Sequence, residues 1–322
     1  MAPTDIHSKG IPMFENTTHL IAAQAPIMSV KPIVVPSNAR GTALQLRISA
    51  PTTGTDLPVI LFSHGFGESM DGYGPLTDWW ASHGFVVLQP TYLDSRSVGL
   101  TDEAPRRTGI WRQRANDAIR ILDHLGEILD TVPGLRERTD TTRIAAAGHS
   151  FGGQTTGILL GLGVVDPDTG DIVYSPDERV RAGVLMATAG RGSDLSPFAA
   201  EHFPFMNPVF DRMTAPALVV LGDKDDSPLS TRGPDWSADP YTDSPGEKHL
   251  LTLHGGEHSL GGIPGYDVRE TTDENPAMVR QLRETAAAFL LHALHLDDTH
   301  WESAQRSLSG NGTDLARMES KQ

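Results

Sequence analysis

The chain contains no cysteine. That excludes disulfide staples, thiol nucleophiles and cysteine-ligated zinc together, and it leaves the redox compartment undetermined. Long hydrophobic runs are missing too, so no membrane span is expected. Basic residues are the scarcer sign, with 26 Lys and Arg against 41 Asp and Glu and a net charge of -15. No basic cluster exceeds Arg106-Arg107, and a nucleic-acid partner, which needs a basic face, is excluded. The acidity is read as solubility rather than as a substrate signal. Residues 1–30 carry scattered prolines and polar side chains instead of the apolar core of a signal peptide. A cytoplasmic protein is therefore the default expectation, a removed leader aside.

What the chain does have is 322 residues, 38% of them hydrophobic, with 32 Gly and 23 Pro. That composition suits one loop-rich α/β domain rather than a fibrous or disordered chain, and no internal repeat is visible. The stretch that organises it is Gly148-His149-Ser150-Phe151-Gly152. The pentapeptide alone is a weak signal among so many glycines. Its context is stronger, because residues 144–147 read as a buried strand and 154–162 continue as an apolar helix. A strand reversing sharply into a helix holds its turn residue in strained geometry, and the flanking glycines let backbones approach. The Ser150 hydroxyl is then lifted above the sheet edge, and the Phe151 N–H faces the oxygen that becomes negative when a carbonyl is attacked.

Along the chain, residues 1–27 lack helical or strand period and read as an N-terminal arm that could lie along the body or a second subunit in a homodimer. A catalytic domain spans 28–296, and 297–322 read as a polar, weakly ordered C-terminal tail. Strands are predicted at 29–35, 43–49, 58–63, 84–90, 180–186, 216–221 and 248–254, besides the strand before Ser150. The spacing predicts helices over 75–83, 111–129 and 275–296. On the second of these Asp117 and His124 lie close to the apolar face and are read as structural. The turn Asp166-Pro167-Asp168-Thr169-Gly170-Asp171 lacks the spacing of a calcium loop and is read as a solvated turn. Residues 190–213 carry Phe198, Phe203, Phe205, Met206 and Phe210 among prolines, which suits either a small cap over the nucleophile or core packing of a crossover.

Three loops carry the candidate triad, and a fourth adds an oxyanion donor. A serine hydroxyl needs a base within hydrogen-bond reach and a carboxylate to fix that base's tautomer. Ser150, an aspartate among 223–226, and His258 follow one another, each just after a predicted strand. His258 lies in the glycine-rich loop after the final strand; His254 is the runner-up. Asp225 is the favoured acid by its spacing from Gly222, Asp226 is the alternative, and Asp223 is less suited. Ser63-His64-Gly65-Phe66-Gly67 turns a second N–H, that of Phe66, into the cleft, with His64 shaping the loop. His64, Phe198, Phe203, Phe205 and Met206 are the candidate pocket residues.

These residues resemble the α/β-hydrolase superfamily, in the branch of dienelactone-hydrolase-like, chlorophyllase-like, cutinase-like and platelet-activating-factor-acetylhydrolase-like serine esterases. The resemblance rests on Ser63-His64-Gly65-Phe66-Gly67, Trp80-Ala81-Ser82-His83-Gly84-Phe85-Val86-Val87, Gly148-His149-Ser150-Phe151-Gly152-Gly153, Gly222-Asp223-Lys224-Asp225 and Glu257-His258. It implies the α/β-hydrolase fold, a mostly parallel sheet of about eight strands flanked by helices. It further implies Ser150 as nucleophile, His258 as base, Asp225 as acid, and Phe66 and Phe151 as oxyanion donors. Neither metal nor organic cofactor is needed. In the acetylhydrolase group the acid follows the strand after the elbow helix, where this chain reads Met186-Ala187-Thr188-Ala189, so the later aspartates must serve. The expected partner is a small-molecule ester or lactone, its bulk apolar. The same three residues could instead serve an acyltransferase or amidase, and the fold could also be a non-catalytic binding module.

Overall fold

Every residue of the stretch 57–63 is buried, which demands cover on both faces of the sheet that contains it. The computed structural model, which describes residues 24–36, 41–99, 108–265 and 271–322, supplies that cover. In chain order, β1 (Ile27–Val35) and β2 (Leu44–Pro51) form an antiparallel opening, followed by β3 (Leu57–Ser63), α1 (Gly74–Ser82) and β4 (Val86–Thr91). Helices α2 (Ile110–Asp123) and α3 (Leu125–Asp130) lead to β5 (Thr139–His149) and α4 (Phe151–Leu159). Short strands β6 (Gly163–Val165) and β7 (Ile172–Tyr174) precede β8 (Val180–Met186), α5 (Pro197–His202) and β9 (Pro208–Val209). The chain closes with β10 (Ala217–Gly222), α6 (Asp239–Asp243), β11 (Lys248–Leu253), α7 (Pro276–Ala293), α8 (Thr299–Leu308) and β12 (Ala316–Lys321).

Nine strands form the central sheet in the order β1-β2-β4-β3-β5-β8-β10-β11-β12. The run from β4 through β11 is parallel, and both edges are antiparallel. This is the α/β-hydrolase fold the motifs imply. Alternation explains its two layers. Val59, Leu61, Ile144 and Ala146 face one core with Trp111, Ile121 and Ile158, while Ile60, Phe62, Ala145 and Ala147 face the other with Trp80, Leu282 and Phe289. Because neighbouring parallel strands end together, the loops after β3, β5, β10 and β11 gather at one edge. No helix among the described residues is long and apolar enough to cross a membrane.

Several expectations change. The helix predicted over 111–129 is two helices broken at His124, whose φ of -100° and ψ of 13° leave the helical region. The turn at 166–171 caps the β6–β7 hairpin, with Asp166 accepting from the Asp168 N–H and paired with Arg112. The segment 297–322, expected to be a loose polar tail, folds: α8 packs Trp301 against Phe289 at 5.4 Å, and β12 pairs antiparallel with β11. Its apolar anchors, Trp301, Leu308, Ala316 and Met318, are too widely spaced to give a strong period, yet each is buried. Of the expected arm 1–27, only residues 24–27 lie within the described chain, where the Ala25 N–H bonds to the Ser82 carbonyl.

Removing the buried Trp301 ring should cost about 3–5 kcal/mol. Urea unfolding of Trp301→Ala is expected to show that loss; a change below about 0.5 kcal/mol, the range of an exposed substitution, would mean the C-terminal segment is not part of the core.

Candidate active site

The turn between β5 and α4 is built by close backbone approach. Ser150 sits at φ 54° and ψ -121°, a conformation that costs on the order of 1–3 kcal/mol and persists only where neighbours enforce it. A Cβ on Gly152 would lie 2.0 Å from the Ser63 carbonyl oxygen, and one on Gly148 would lie 2.1 Å from that of Gly152. Only hydrogen fits at either place. The Ser150 N–H is tied to the Met186 carbonyl at 2.8 Å, which fixes the turn against β8. Phe151 opens α4 and no side chain caps that helix, leaving its first N–H groups for an anion.

The loop after β3 is held from within. Arg114, fully buried on α2, makes a two-pronged pair with Asp94 at 2.8 and 2.6 Å and donates to the His64 and Gly65 carbonyls at 2.7 and 3.2 Å. Its guanidinium also lies over the rings of Tyr92 and Phe151, at 4.6 and 4.3 Å. Burial pushes the Asp94 carboxyl up, but Arg114, joined by His64 and the Gly67 N–H, more than offsets it and the net shift is downward. The Gly65 N–H bonds to the Tyr73 hydroxyl and the Gly67 N–H to Asp94. Between them, the Phe66 N–H has no partner among the described residues. Arg114 was missed by sequence reasoning. The signal was a charge beside Trp111, Ala115, Ala118 and Leu122 on the buried face of α2, which Asp117 shares.

After β10, Asp225 is 3% exposed and its carboxylate lies 2.9 Å from His258 Nδ1. A carboxylate can only accept, so Nδ1 carries the proton and Nε2 is left as the basic lone pair. Asp226 is exposed. Asp223 instead accepts from the Gly255 N–H and lies 3.2 Å from His254 Nδ1, which ties up the runner-up histidine. Ser150, Phe151, Asp225 and His258 line one small cavity with Gln154, Ala187, Ala189, Met206, Ser227, Leu229, Trp236 and Ser237. Its volume of about 10 Å³ is room for roughly one water.

The expected pocket residues divide. Met206 lines the cavity, and Phe205 is buried behind it, 5.1 Å from the Phe151 ring. Phe203 packs edge-on to Phe66 at 5.6 Å, and Phe198, 54% exposed, continues the same aromatic shelf outward. His64 does not reach the cavity, because it is buried and its Nε2 accepts from the Tyr92 N–H at 3.0 Å. Within 190–213 both readings therefore apply, with Phe205, Met206 and Phe210 in the core and Phe198 and Phe203 at the rim. Trp236 was missed. It sits in the short 3₁₀ helix Pro234–Ala238, too brief to show a period, held by its Nε1–H to the Arg191 carbonyl at 3.0 Å.

The chain also resembles known proteins. The family model described as Chlorophyllase matches residues 19–173. Platelet-activating factor acetylhydrolase of Bos taurus is 25% identical over 299 residues, covering 78% of this chain and 61% of the relative. The enzyme of that name from Canis lupus familiaris is 24% identical over 300 residues with the same coverage. The chain is thus similar to the chlorophyllase- and platelet-activating factor acetylhydrolase-like branch of the α/β hydrolases. It spans about three-fifths of the length of these curated relatives. Among the described residues, no cluster of three or more His, Asp or Glu side chains could hold a metal ion.

Next to the serine, His149 is buried and pushed down to about 3, first by burial and then by His258 beside it. A histidine depressed when folded resists a proton that the unfolded chain accepts below about 6.5. Its stability contribution is full above that value and drains away as pH falls toward 3. Between pH 7.5 and 5.0 this amounts to roughly 2 kcal/mol. Urea unfolding at the two pH values should show the wild type losing about that much more than His149→Gln; equal losses would contradict a neutral buried ring.

Proposed function

We propose that the hydrolase cleaves a carboxylic ester or lactone through an acyl-enzyme on Ser150. One observation carries this reading: the strained serine at the β5–α4 turn shares a cavity with a histidine whose Nδ1 is held by a buried carboxylate. His258 Nε2 takes the Ser150 proton as Oγ bonds to the carbonyl carbon. The N–H groups of Phe66 and Phe151 donate to the oxygen that gains negative charge. The same proton then passes to the leaving alkoxide, the C–O bond breaks, and a water deprotonated by His258 releases the acid and restores Ser150. Asp225 accepts from Nδ1–H and steadies the imidazolium. That the relatives are named for ester-cleaving enzymes supports the same reaction.

The cavity also shapes the substrate. A space for about one water, walled by Ala187, Met206, Leu229 and Trp236, accepts a short group on the attacked carbonyl. The bulk of the ester then lies on the open side, along Phe66, Phe203 and Phe198. Turnover of 4-nitrophenyl esters should fall as the acyl chain lengthens from acetyl, and Ser150→Ala should lower kcat by about 10⁴ or more. Undiminished turnover by Ser150→Ala would overturn the mechanism; faster turnover of long acyl chains would overturn the assignment of the cavity.

A further inference from the structure

Four loops contribute to the proposed chemistry, those after β3, β5, β10 and β11, and each must be placed to a fraction of an ångström at a chain reversal. The ion pair of Arg114 with Asp94 secures the loop after β3, but it touches nothing on the loop that carries His258. A second set of bonds does. The Gly65 N–H lies 3.0 Å from the Tyr73 hydroxyl, that hydroxyl lies 2.9 Å from His149 Nδ1, and His149 Nε2 lies 2.7 Å from the His258 backbone carbonyl.

Only one proton arrangement satisfies all four groups. A carbonyl can only accept, so His149 carries its proton on Nε2 and donates it to His258. Nδ1 of the neutral ring is then an acceptor, and the Tyr73 hydroxyl must donate to it. The hydroxyl oxygen in turn accepts from Gly65. All donors in the line point the same way, from the loop after β3 to the loop after β11. Tyr73 is fully buried, and its backbone at φ 65° is pinned by its N–H to the Pro264 carbonyl at 2.9 Å. The His149 ring rests 4.9 Å from that of His258, so the bond to the backbone and the ring contact hold the same residue.

We propose that Tyr73 and His149 are positioning residues, a one-way hydrogen-bond relay that locks the Phe66 N–H and the His258 imidazole into register across Ser150. Neither touches substrate. The inference rests on the hydrolase reading for its consequence, but the relay itself is a statement about protons on named atoms. Removing the Tyr73 hydroxyl breaks two of the three bonds and strands a buried Gly65 N–H, with no change in ring volume. The loops would then hold their places less well when charge develops, which lowers kcat more than it raises KM.

The test has two arms. In ¹⁵N-histidine-labelled protein, nitrogen shifts should show His149 protonated on Nε2 alone from pH 5 to 8, with Tyr73→Phe moving the Nδ1 signal. On a short-chain 4-nitrophenyl ester, Tyr73→Phe should lower kcat by about 10-fold or more with KM changed by less than about threefold. His149→Phe made in the Tyr73→Phe background should add less than about threefold, because the relay is already broken. A proton on Nδ1, kcat of Tyr73→Phe within twofold of wild type, or additive losses would each overturn the relay. Should the double variant fail to fold, the single variant and the nitrogen shifts decide. Absence of turnover in the wild type would count against the hydrolase reading, and the ring nitrogens would then decide the relay alone.

Discussion

The candidate active site hangs on a backbone contact. At Gly152 the turn that presents Ser150 approaches the last carbonyl of β3 so closely that a single methyl group has no room. That approach brings the end of β3, and with it the Phe66 loop, beside the first N–H groups of α4. It also fixes what the rest of the fold must do. The sheet has to be parallel at its centre so that β3, β5, β10 and β11 end at the same edge, and both its faces have to be covered so that such strands can be apolar throughout. The strain at Ser150 persists because the bond to Met186, the close glycines and the buried start of α4 hold it together.

Around that contact, polar groups are buried only where their partners are built in. Arg114 and Asp94 would each be costly inside the protein, yet together with the carbonyls of His64 and Gly65 they satisfy one another and set the curve of the loop. His149 is kept neutral by burial and uses both ring nitrogens. His258 is the exposed member, 45% accessible at its side chain, and so it alone of these can reach a bound molecule. Rigid groups thus surround one accessible ring, which matches the division between positioning and chemistry that the proposed mechanism needs.

Much of this was legible in the sequence, for reasons that can be named. Continuous apolar runs such as 58–63 and 216–221 announce strands buried on both faces. The glycines about Ser150 mark the turn, because no other residue survives such crowding. Spacing after Gly222, and the glycine-rich loop after the final strand, pointed to the residues that the structure brings together as Asp225 and His258. The rest was hidden where order comes from tertiary contact rather than from period. Trp301 and β12 are anchored by a few scattered side chains, so residues 297–322 read as a tail. Arg114 stands among the apolar positions of α2, but its partners on the loops after β3 and β4 come from distant parts of the chain that no local pattern links to it. The partition of 190–213 into core and rim depends on which way each phenylalanine turns, and irregular chain carries no pattern for that. Trp236 lines the cavity from a 3₁₀ helix of five residues, too short to carry a pattern.

The central claim is that Ser150 alone is made reactive by this geometry. Intact-mass and peptide mass spectrometry after brief exposure to a fluorophosphonate measures it most directly. The account predicts one adduct per chain, on Ser150, formed by the folded protein and lost on unfolding in urea. An unlabelled Ser150 in folded protein, or labelling that persists equally in the unfolded chain, would contradict it.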